Sequence, residues 1–203
     1  ILAVTLAQKL VIPAADGYPL AATLWASERA DAPGRYAVVN PGAGIPARYY
    51  DRFASWLADR GVPTLTYDYR GIGASAPRSL KGFRASVEDW GSKDYAAVGD
   101  AMGRRYPGAL ACVVGHSIGG FVTGLAPGGE RIGRMVLIGA HTGYWRDYAR
   151  RVRLPMFVTW HLAMPALTRA MGYFPGRRFG LPGILMPHNP IAGKPADLHA
   201  VGQ

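Results

Sequence analysis

The chain has 203 residues, of which 49% are hydrophobic and 18% are charged, so it can bury a full core and is neither disordered nor fibrous. Its formal net charge is +10, and its basic residues become denser between positions 131 and 178. No recognisable nucleic-acid-binding module accompanies these charges. The composition therefore argues against a nucleic-acid partner and favours a solvated basic face.

The single cysteine, Cys112, excludes a disulfide within one chain and a metal site built from several cysteines. It lies in an apolar stretch and is expected to be a small core residue. Residues 1–17 show neither a basic leader nor a signal-type cleavage site, so we expect no secretory signal. A cytoplasmic location follows from these two features.

Turn residues and Gly-rich loops divide the first part of the chain. Residues 3–12 and 20–26 are predicted to form an antiparallel hairpin, because Asp-Gly and Pro between them favour a turn. Residues 36–40 form a short apolar strand that leads into a loop at 41–46, which has too much Gly and Pro for regular structure. The N–H groups of this loop could complete an oxyanion hole. The alternative is an ordinary connection between a strand and a helix.

A helix is predicted over residues 47–60, with Tyr50, Phe53, Trp56 and Leu57 on its core-facing side. Successive spacings of three, three and one residues place these four side chains on one helical face. We therefore expect this face to pack against the sheet.

Residues 64–69 are predicted as the next strand, followed by a loop at its carboxyl end and by a helix over 94–106. Asp68 lies in this strand and could be taken for the acid of a catalytic triad. We favour a structural role, in which its carboxylate accepts hydrogen bonds from N–H groups of the following turn. The reason is that Asp68 precedes the candidate nucleophile by a whole strand-helix unit.

A strand-to-helix turn is predicted at Gly115-His116-Ser117-Ile118-Gly119. Residues 109–114 before it have the length and composition of a buried parallel strand, and small apolar residues follow it. This context favours a nucleophile elbow, which exposes the hydroxyl of Ser117 and leaves the N–H of Ile118 at a helix N-terminus to stabilise an oxyanion. The alternative is a structural turn, since such short patterns arise by chance in a chain with 27 glycines.

Residues 134–140 are predicted as one more buried strand, and the alternation of strands and helices up to this point indicates a mostly parallel sheet with helices on both faces. From His141 onward, aromatic residues, arginines and prolines replace this alternation, which indicates an insertion. Residues 154–172 are apolar, but prolines, a histidine and an arginine interrupt them. A lid helix or helix pair over the active site is therefore preferred to a membrane span, with His161 as a packed histidine.

Several short segments are similar to one known superfamily. They are Asn40-Pro41-Gly42-Ala43-Gly44, TYDYRGIGAS at 66–75, Asp89-Trp90-Gly91, GHSIGG at 115–120, GYW from 143 and GYFPGRRFG from 172. The chain resembles the α/β-hydrolases, and within them a bacterial branch with little assigned chemistry, over most of residues 10–182. The resemblance implies that Ser117 attacks an acyl carbonyl, that the N–H groups of Ile118 and Ala43 hold the oxyanion, and that a cap follows the sixth strand.

The same resemblance implies an acid after a seventh strand and a histidine after an eighth. No such strands are predicted after the cap, so we expect the last strands to be missing, through truncation or a shifted reading frame. A sheet that stopped after its sixth strand would leave that strand's edge unpaired, and the chain would then be only marginally stable.

A serine hydroxyl is a poor nucleophile at neutral pH without a base. His141, which follows the sixth strand, is the first substitute to consider, with Asp147 as an acid. His188 and His199 lie in the tail, and His116 should point away from the serine because the elbow fixes alternate directions. Each of these residues is expected to be structural or solvated.

The sequence thus predicts an α/β-hydrolase fold with a core at 1–140, a cap at 141–183 and an irregular tail at 184–203. The expected function is esterase-type hydrolysis of a small-molecule acyl substrate through Ser117, with no metal or organic cofactor. One alternative is a catalytically incomplete fragment or non-catalytic relative that binds an apolar ligand. A weaker alternative is a protein that binds anionic membrane surfaces through its arginines and aromatic lid. Substrate and oligomeric state stay open.

Overall fold

The computed structural model describes residues 5–27, 34–142, 144–171, 173–175 and 185–187. Eight strands lie in these ranges: β1 Thr5–Pro13, β2 Pro19–Ser27, β3 Arg35–Asn40, β4 Thr64–Tyr67, β5 Leu110–His116, β6 Ile132–Ile138, β7 Tyr173–Pro175 and β8 Leu185–Pro187. The first six form one sheet in the order β1-β2-β4-β3-β5-β6. The last two pair with each other as a separate antiparallel ribbon.

Helices alternate with these strands, as the sequence predicts. The α-helices are α1 Asp51–Ala58, α2 Val87–Asp89, α3 Ala96–Arg105, α4 Ile118–Gly124, α5 Arg150–Val158 and α6 Met164–Met171. Two π-helical stretches, Trp90–Tyr95 and Thr159–Ala163, join α2 to α3 and α5 to α6. Short 3₁₀ turns lie at Ala47–Tyr50, Gly73–Ser75, Gly129–Arg131 and Trp145–Asp147.

Strand direction brings the functional loops together. β1 and β2 form the predicted antiparallel hairpin, and β2 is also antiparallel to β4. The pairs β3–β4, β3–β5 and β5–β6 are all parallel. Because parallel strands end at the same edge of a sheet, the loops that follow β3, β4, β5 and β6 lie along one edge. This confirms the predicted mostly parallel sheet.

A network of charges around the buried Arg70 ties the hairpin to the sheet. Arg70, after β4, donates from Nε to Oδ1 of Asp94 at 2.8 Å and from its terminal nitrogens to both carboxylate oxygens of Asp16 at 2.6 and 3.0 Å. Arg70 and Asp94 are buried, and Asp16 lies in the hairpin turn. The charges of Arg70 and Asp94 compensate each other where water is excluded, whereas Asp16 is partly in solvent.

The core-facing side of α1 differs from the prediction. Tyr50 and Ala54 are buried, but the side chains of Phe53 and Trp56 are 38% and 49% exposed. Ala58 is also fully buried. Small alanines, rather than the larger aromatic residues, therefore bring this helix against the sheet.

The strand β6 also differs from the prediction that it is buried. Its residues from Met135 to Ile138 are between 44% and 56% exposed. β6 pairs with β5 along one edge, and in the described part of the chain no strand pairs with its other edge. The apolar side chains of β6 therefore remain accessible.

After β6 the chain forms a continuous helical run from 150 to 171, made of α5, the π-helical stretch and α6. This is the helical region that the sequence predicts as a lid. The proposed boundaries of the core, cap and tail remain predictions. His188 and His199 of the predicted tail lie outside the described residues.

Candidate active site

The turn after β5 holds Ser117 in a backbone conformation that residues with side chains rarely adopt. Its φ is 55° and its ψ is −123°, and it is the one non-glycine residue with a positive φ in the described ranges. Its N–H donates to the carbonyl of Ile138 at 2.9 Å, and its carbonyl accepts from the N–H of Gly120 at 3.2 Å. Such strain costs about 1–3 kcal/mol and persists only where the surroundings fix it. The geometry is that of a tight strand-to-helix elbow.

The glycines that follow Ser117 are required by close packing. A Cβ atom on Gly119 would overlap the carbonyl oxygen of Asn40, and one on Gly120 would lie 2.6 Å from the Cβ of Ala140. The start of α4 therefore touches both the loop after β3 and the loop after β6. These contacts gather three loops around the serine.

His141 lies beside the serine, with its Nε2 atom 3.1 Å from Oγ of Ser117. Pairing of His116 with Ile138 aligns the ends of β5 and β6, and Gly139, with a φ of 54°, then turns the chain toward the elbow. A separation of 2.6–3.2 Å suits proton transfer. The sequence named His141 as the first substitute for a base but expected it to be structural or solvated. It is exposed, yet it contacts the hydroxyl directly.

The other histidines in the described part of the chain contact different groups. His116 Nδ1 lies 2.7 Å from the hydroxyl of Tyr50, which also accepts the N–H of Gly42 at 3.0 Å. Burial raises the pKa of Tyr50 to about 12, so its hydroxyl stays protonated. The ring of His161 lies 4.8 Å, between centroids, from an aromatic ring of α5. His116 thus points away from the serine, as the elbow predicts.

The two candidate acids have different partners. Asp68 accepts the N–H groups of Ala47 at 2.7 Å and Ala74 at 2.8 Å, which confirms its predicted structural role. Burial raises the pKa of its carboxyl. Asp147 accepts a hydrogen bond from the hydroxyl of Thr142 at 3.4 Å. Among the described residues, no three His, Cys, Asp or Glu side chains are grouped so that they could hold a metal ion.

Two backbone N–H groups remain for an oxyanion. Ile118 is the first residue of α4, and Ala43 lies in the loop at 41–46. Neither N–H has an acceptor within the parts of the chain that the structure describes, whereas the N–H of Gly42 is taken by Tyr50. The helix N-terminus adds partial positive charge at Ile118. The two donors named by the sequence are therefore available.

The helical run after β6 reaches this loop. Met164, at the start of α6 and 2% exposed, packs against Ala43, Trp160 and Leu167. The run thus contacts the residue that carries one of the two candidate oxyanion donors. None of the helices in the described ranges has the length and apolar character needed to cross a bilayer.

A buried polar cluster beside the elbow was not foreseen from the sequence. The side chain of Asn40 donates to Thr123 Oγ1 and accepts the hydroxyl of Tyr67, each at 2.8 Å. Thr123 in turn donates to the carbonyl of Gly119 at 2.9 Å. The cluster fixes the end of β3 against α4. One signal in the sequence could have indicated it: Asn40 is a polar residue at the end of a buried apolar strand, and buried polar groups need hydrogen-bond partners.

Residues 32–175 match the family described as serine aminopeptidase, S33. The chain belongs to this family of α/β-hydrolases. The matched region includes Ala43, Ser117, Ile118 and His141, which are the candidate site residues described above.

Solved structures show the same fold. One is hypothetical protein PA2218 from Pseudomonas aeruginosa, with 21% identity, a TM-score of 0.56, and coverage of 84% of this chain and 57% of that one. A highly thermostable carboxyl esterase from Bacillus coagulans has 17% identity, a TM-score of 0.55, and coverage of 84% and 57%. The esterase PF2001 of Pyrococcus furiosus has 19% identity, a TM-score of 0.54, and coverage of 76% and 62%. This family member thus matches about three fifths of the length of each of these proteins.

Proposed function

We propose that the chain is a serine hydrolase of esterase type, in which Ser117 is the nucleophile and His141 is its base. The observation that carries this proposal is the 3.1 Å separation of Ser117 Oγ from His141 Nε2 at a strained turn. Membership of the S33 family and the likeness to proteins named as esterases support it. A cytoplasmic location is part of the proposal and rests on the single cysteine.

The mechanism follows from the contacts of these groups. With its proton on Nδ1, His141 accepts the hydroxyl hydrogen of Ser117 through Nε2. As Oγ bonds to the acyl carbon, this proton moves to Nε2, and the N–H groups of Ile118 and Ala43 bind the oxyanion. Collapse of the intermediate breaks the ester bond, and the leaving alcohol takes the proton from His141.

Water then hydrolyses the acyl-enzyme. His141 removes a proton from a water molecule as the water oxygen attacks the acyl carbon bound to Ser117. The second tetrahedral intermediate collapses, Oγ leaves and regains a proton from Nε2, and the carboxylic acid is released. No other reactant is consumed.

The experiment is hydrolysis of p-nitrophenyl butyrate by the purified chain and by Ser117→Ala. We expect the substitution to lower kcat by at least about 10³-fold, because the remaining groups cannot form the acyl-enzyme. His161→Ala is the matched control, since that ring packs on an aromatic ring of α5, and it should keep wild-type activity. Equal hydrolysis by wild type and Ser117→Ala would remove Ser117 from the mechanism. A folded chain without turnover would favour the non-catalytic alternative.

A further inference from the structure

A cavity of about 520 Å³ lies between the loop after β4 and the end of α6. Three of its described lining residues, Lys81, Arg84 and Arg169, are positively charged and exposed, and none of the described lining residues is negatively charged. Within the described ranges, no carboxylate lies within ion-pair distance of these three side chains. Like charges gathered without a counter-ion repel one another. The cavity is therefore electrostatically suited to an anion.

Thr168 supplies a second and independent sign of a ligand. This residue lines the same cavity and is 3% exposed. Its Oγ1 atom is buried and has no hydrogen-bond partner in the described part of the chain. Buried hydroxyl groups in folded proteins are normally paired. A rotation of this side chain that turned the hydroxyl toward the cavity would let it donate to an anionic oxygen bound there.

Helix α6 links the cavity to the proposed catalytic site. The loop after β4 and the helices after β6 both extend from the edge of the sheet that carries Ser117. Met164 packs on Ala43 of the candidate oxyanion loop. Thr168 follows it by one helical turn, which is about 6 Å along the axis. A substrate that extended from the serine along α6 would therefore approach the cavity.

The loop that carries two of the positive charges is anchored. Phe83, which lies between Lys81 and Arg84, packs its ring 5.7 Å, between centroids, from the ring of Tyr18. The hydroxyl of Tyr18 donates to the carbonyl of Ser75. Because these contacts hold the backbone of the loop, Lys81 and Arg84 would lose less conformational entropy when an anion binds.

We propose that this cavity binds an anionic group, a carboxylate or a phosphate, on the substrate that Ser117 cleaves. The link to catalysis rests on the function proposed above. The cavity narrows the substrate class from acyl esters in general to acyl esters that carry a negative charge. The three basic residues of the cavity, which contribute to the net charge of +10, would bind this anionic group.

The kinetic test compares a neutral p-nitrophenyl ester with mono-p-nitrophenyl esters of dicarboxylic and phosphonocarboxylic acids of increasing length. We expect kcat/KM to favour one anionic series by about tenfold or more, because charge-assisted hydrogen bonds are gained in the cavity. The double variant Arg84→Gln/Arg169→Gln should lose this preference and keep its activity on the neutral ester. Arg52→Gln, an exposed arginine on α1, is the matched control and should keep the preference. No preference at any length, or equal loss in the control, would overturn the proposal.

A binding test separates the cavity from catalysis. Glutarate and inorganic phosphate are titrated by calorimetry into Ser117→Ala and into the same protein with Thr168→Val, a change that keeps the side-chain shape. We expect saturable binding of the preferred anion, weakened about tenfold by the loss of the hydroxyl. Such binding, together with no ester hydrolysis by the wild-type chain, would refute the proposed function and leave the anion site standing. No saturable binding of either anion would overturn the site.

Discussion

At the residue scale, Ser117 adopts an unfavourable backbone conformation because its neighbours fix both sides of it. Its N–H is held by the end of β6 and its carbonyl by the first turn of α4. The sequence predicted this turn, since glycines mark where side chains cannot fit. It could not predict that Nε2 of His141 reaches the hydroxyl. That contact depends on the register of β5 against β6 and on the positive φ of Gly139, both of which are set by tertiary structure.

A pH-dependent prediction concerns Asp16. Hydrogen bonds from Arg70 hold the pKa of this carboxyl well below its usual range. The unfolded chain therefore takes up a proton first, so the stability that this pair contributes is present above the ordinary Asp pKa of about 4 and is lost as the pH falls below it. We predict that Asp16→Asn lowers the free energy of unfolding at pH 7 and reduces its decline between about pH 5 and pH 3.

Urea denaturation at a series of pH values measures both effects. Asp100→Asn is the control, because the pair of Asp100 with Arg131 is exposed and should contribute less than about 1 kcal/mol at pH 7. An identical decline in wild type and Asp16→Asn would show that Arg70 does not hold the carboxylate in solution.

At the element scale, helices and strands could be predicted because periodicity and turn residues mark them, but the inward side of α1 could not. The prediction assumed that the largest apolar side chains face the core. Instead, Phe53 and Trp56 stack on each other with centroids 6.3 Å apart, and the guanidinium of Arg60 lies 3.9 Å from the centroid of Trp56. These contacts cover the aromatic rings outside the core and leave the inward side to small residues.

Two substitutions distinguish the observed face of α1 from the predicted one. Ala54 is fully buried, so Ala54→Leu should overpack the interface and lower the free energy of unfolding by about 1–3 kcal/mol. Phe53→Ala should cost less than about 1 kcal/mol, because the ring is already partly in solvent. Thermal or urea denaturation measures both changes. If Phe53→Ala cost about 3–5 kcal/mol, as a buried ring would, the orientation of α1 would be wrong.

At the scale of the whole molecule, the parallel arrangement of β3 to β6 brings the functional loops to one edge of the sheet. The elbow, the loop of Ala43, the turn before His141 and the start of α6 all meet there. The sequence predicted the fold class and the first three loops, because each follows an apolar strand. It did not predict which side chains meet, since that depends on sheet order and packing. The basic cavity beside α6 joins distant segments and carries no local sequence signal.

The activation of Ser117 by His141 is tested most directly by the rate of labelling with a fluorophosphonate probe. We predict that wild type and His161→Ala are labelled at equal rates and that Ser117→Ala is not labelled. His141→Ala should be labelled about 10²–10⁴-fold more slowly, because the hydroxyl has lost its base, and added imidazole should restore part of the rate. Equal labelling rates in wild type and His141→Ala would contradict the assignment of His141 as the base.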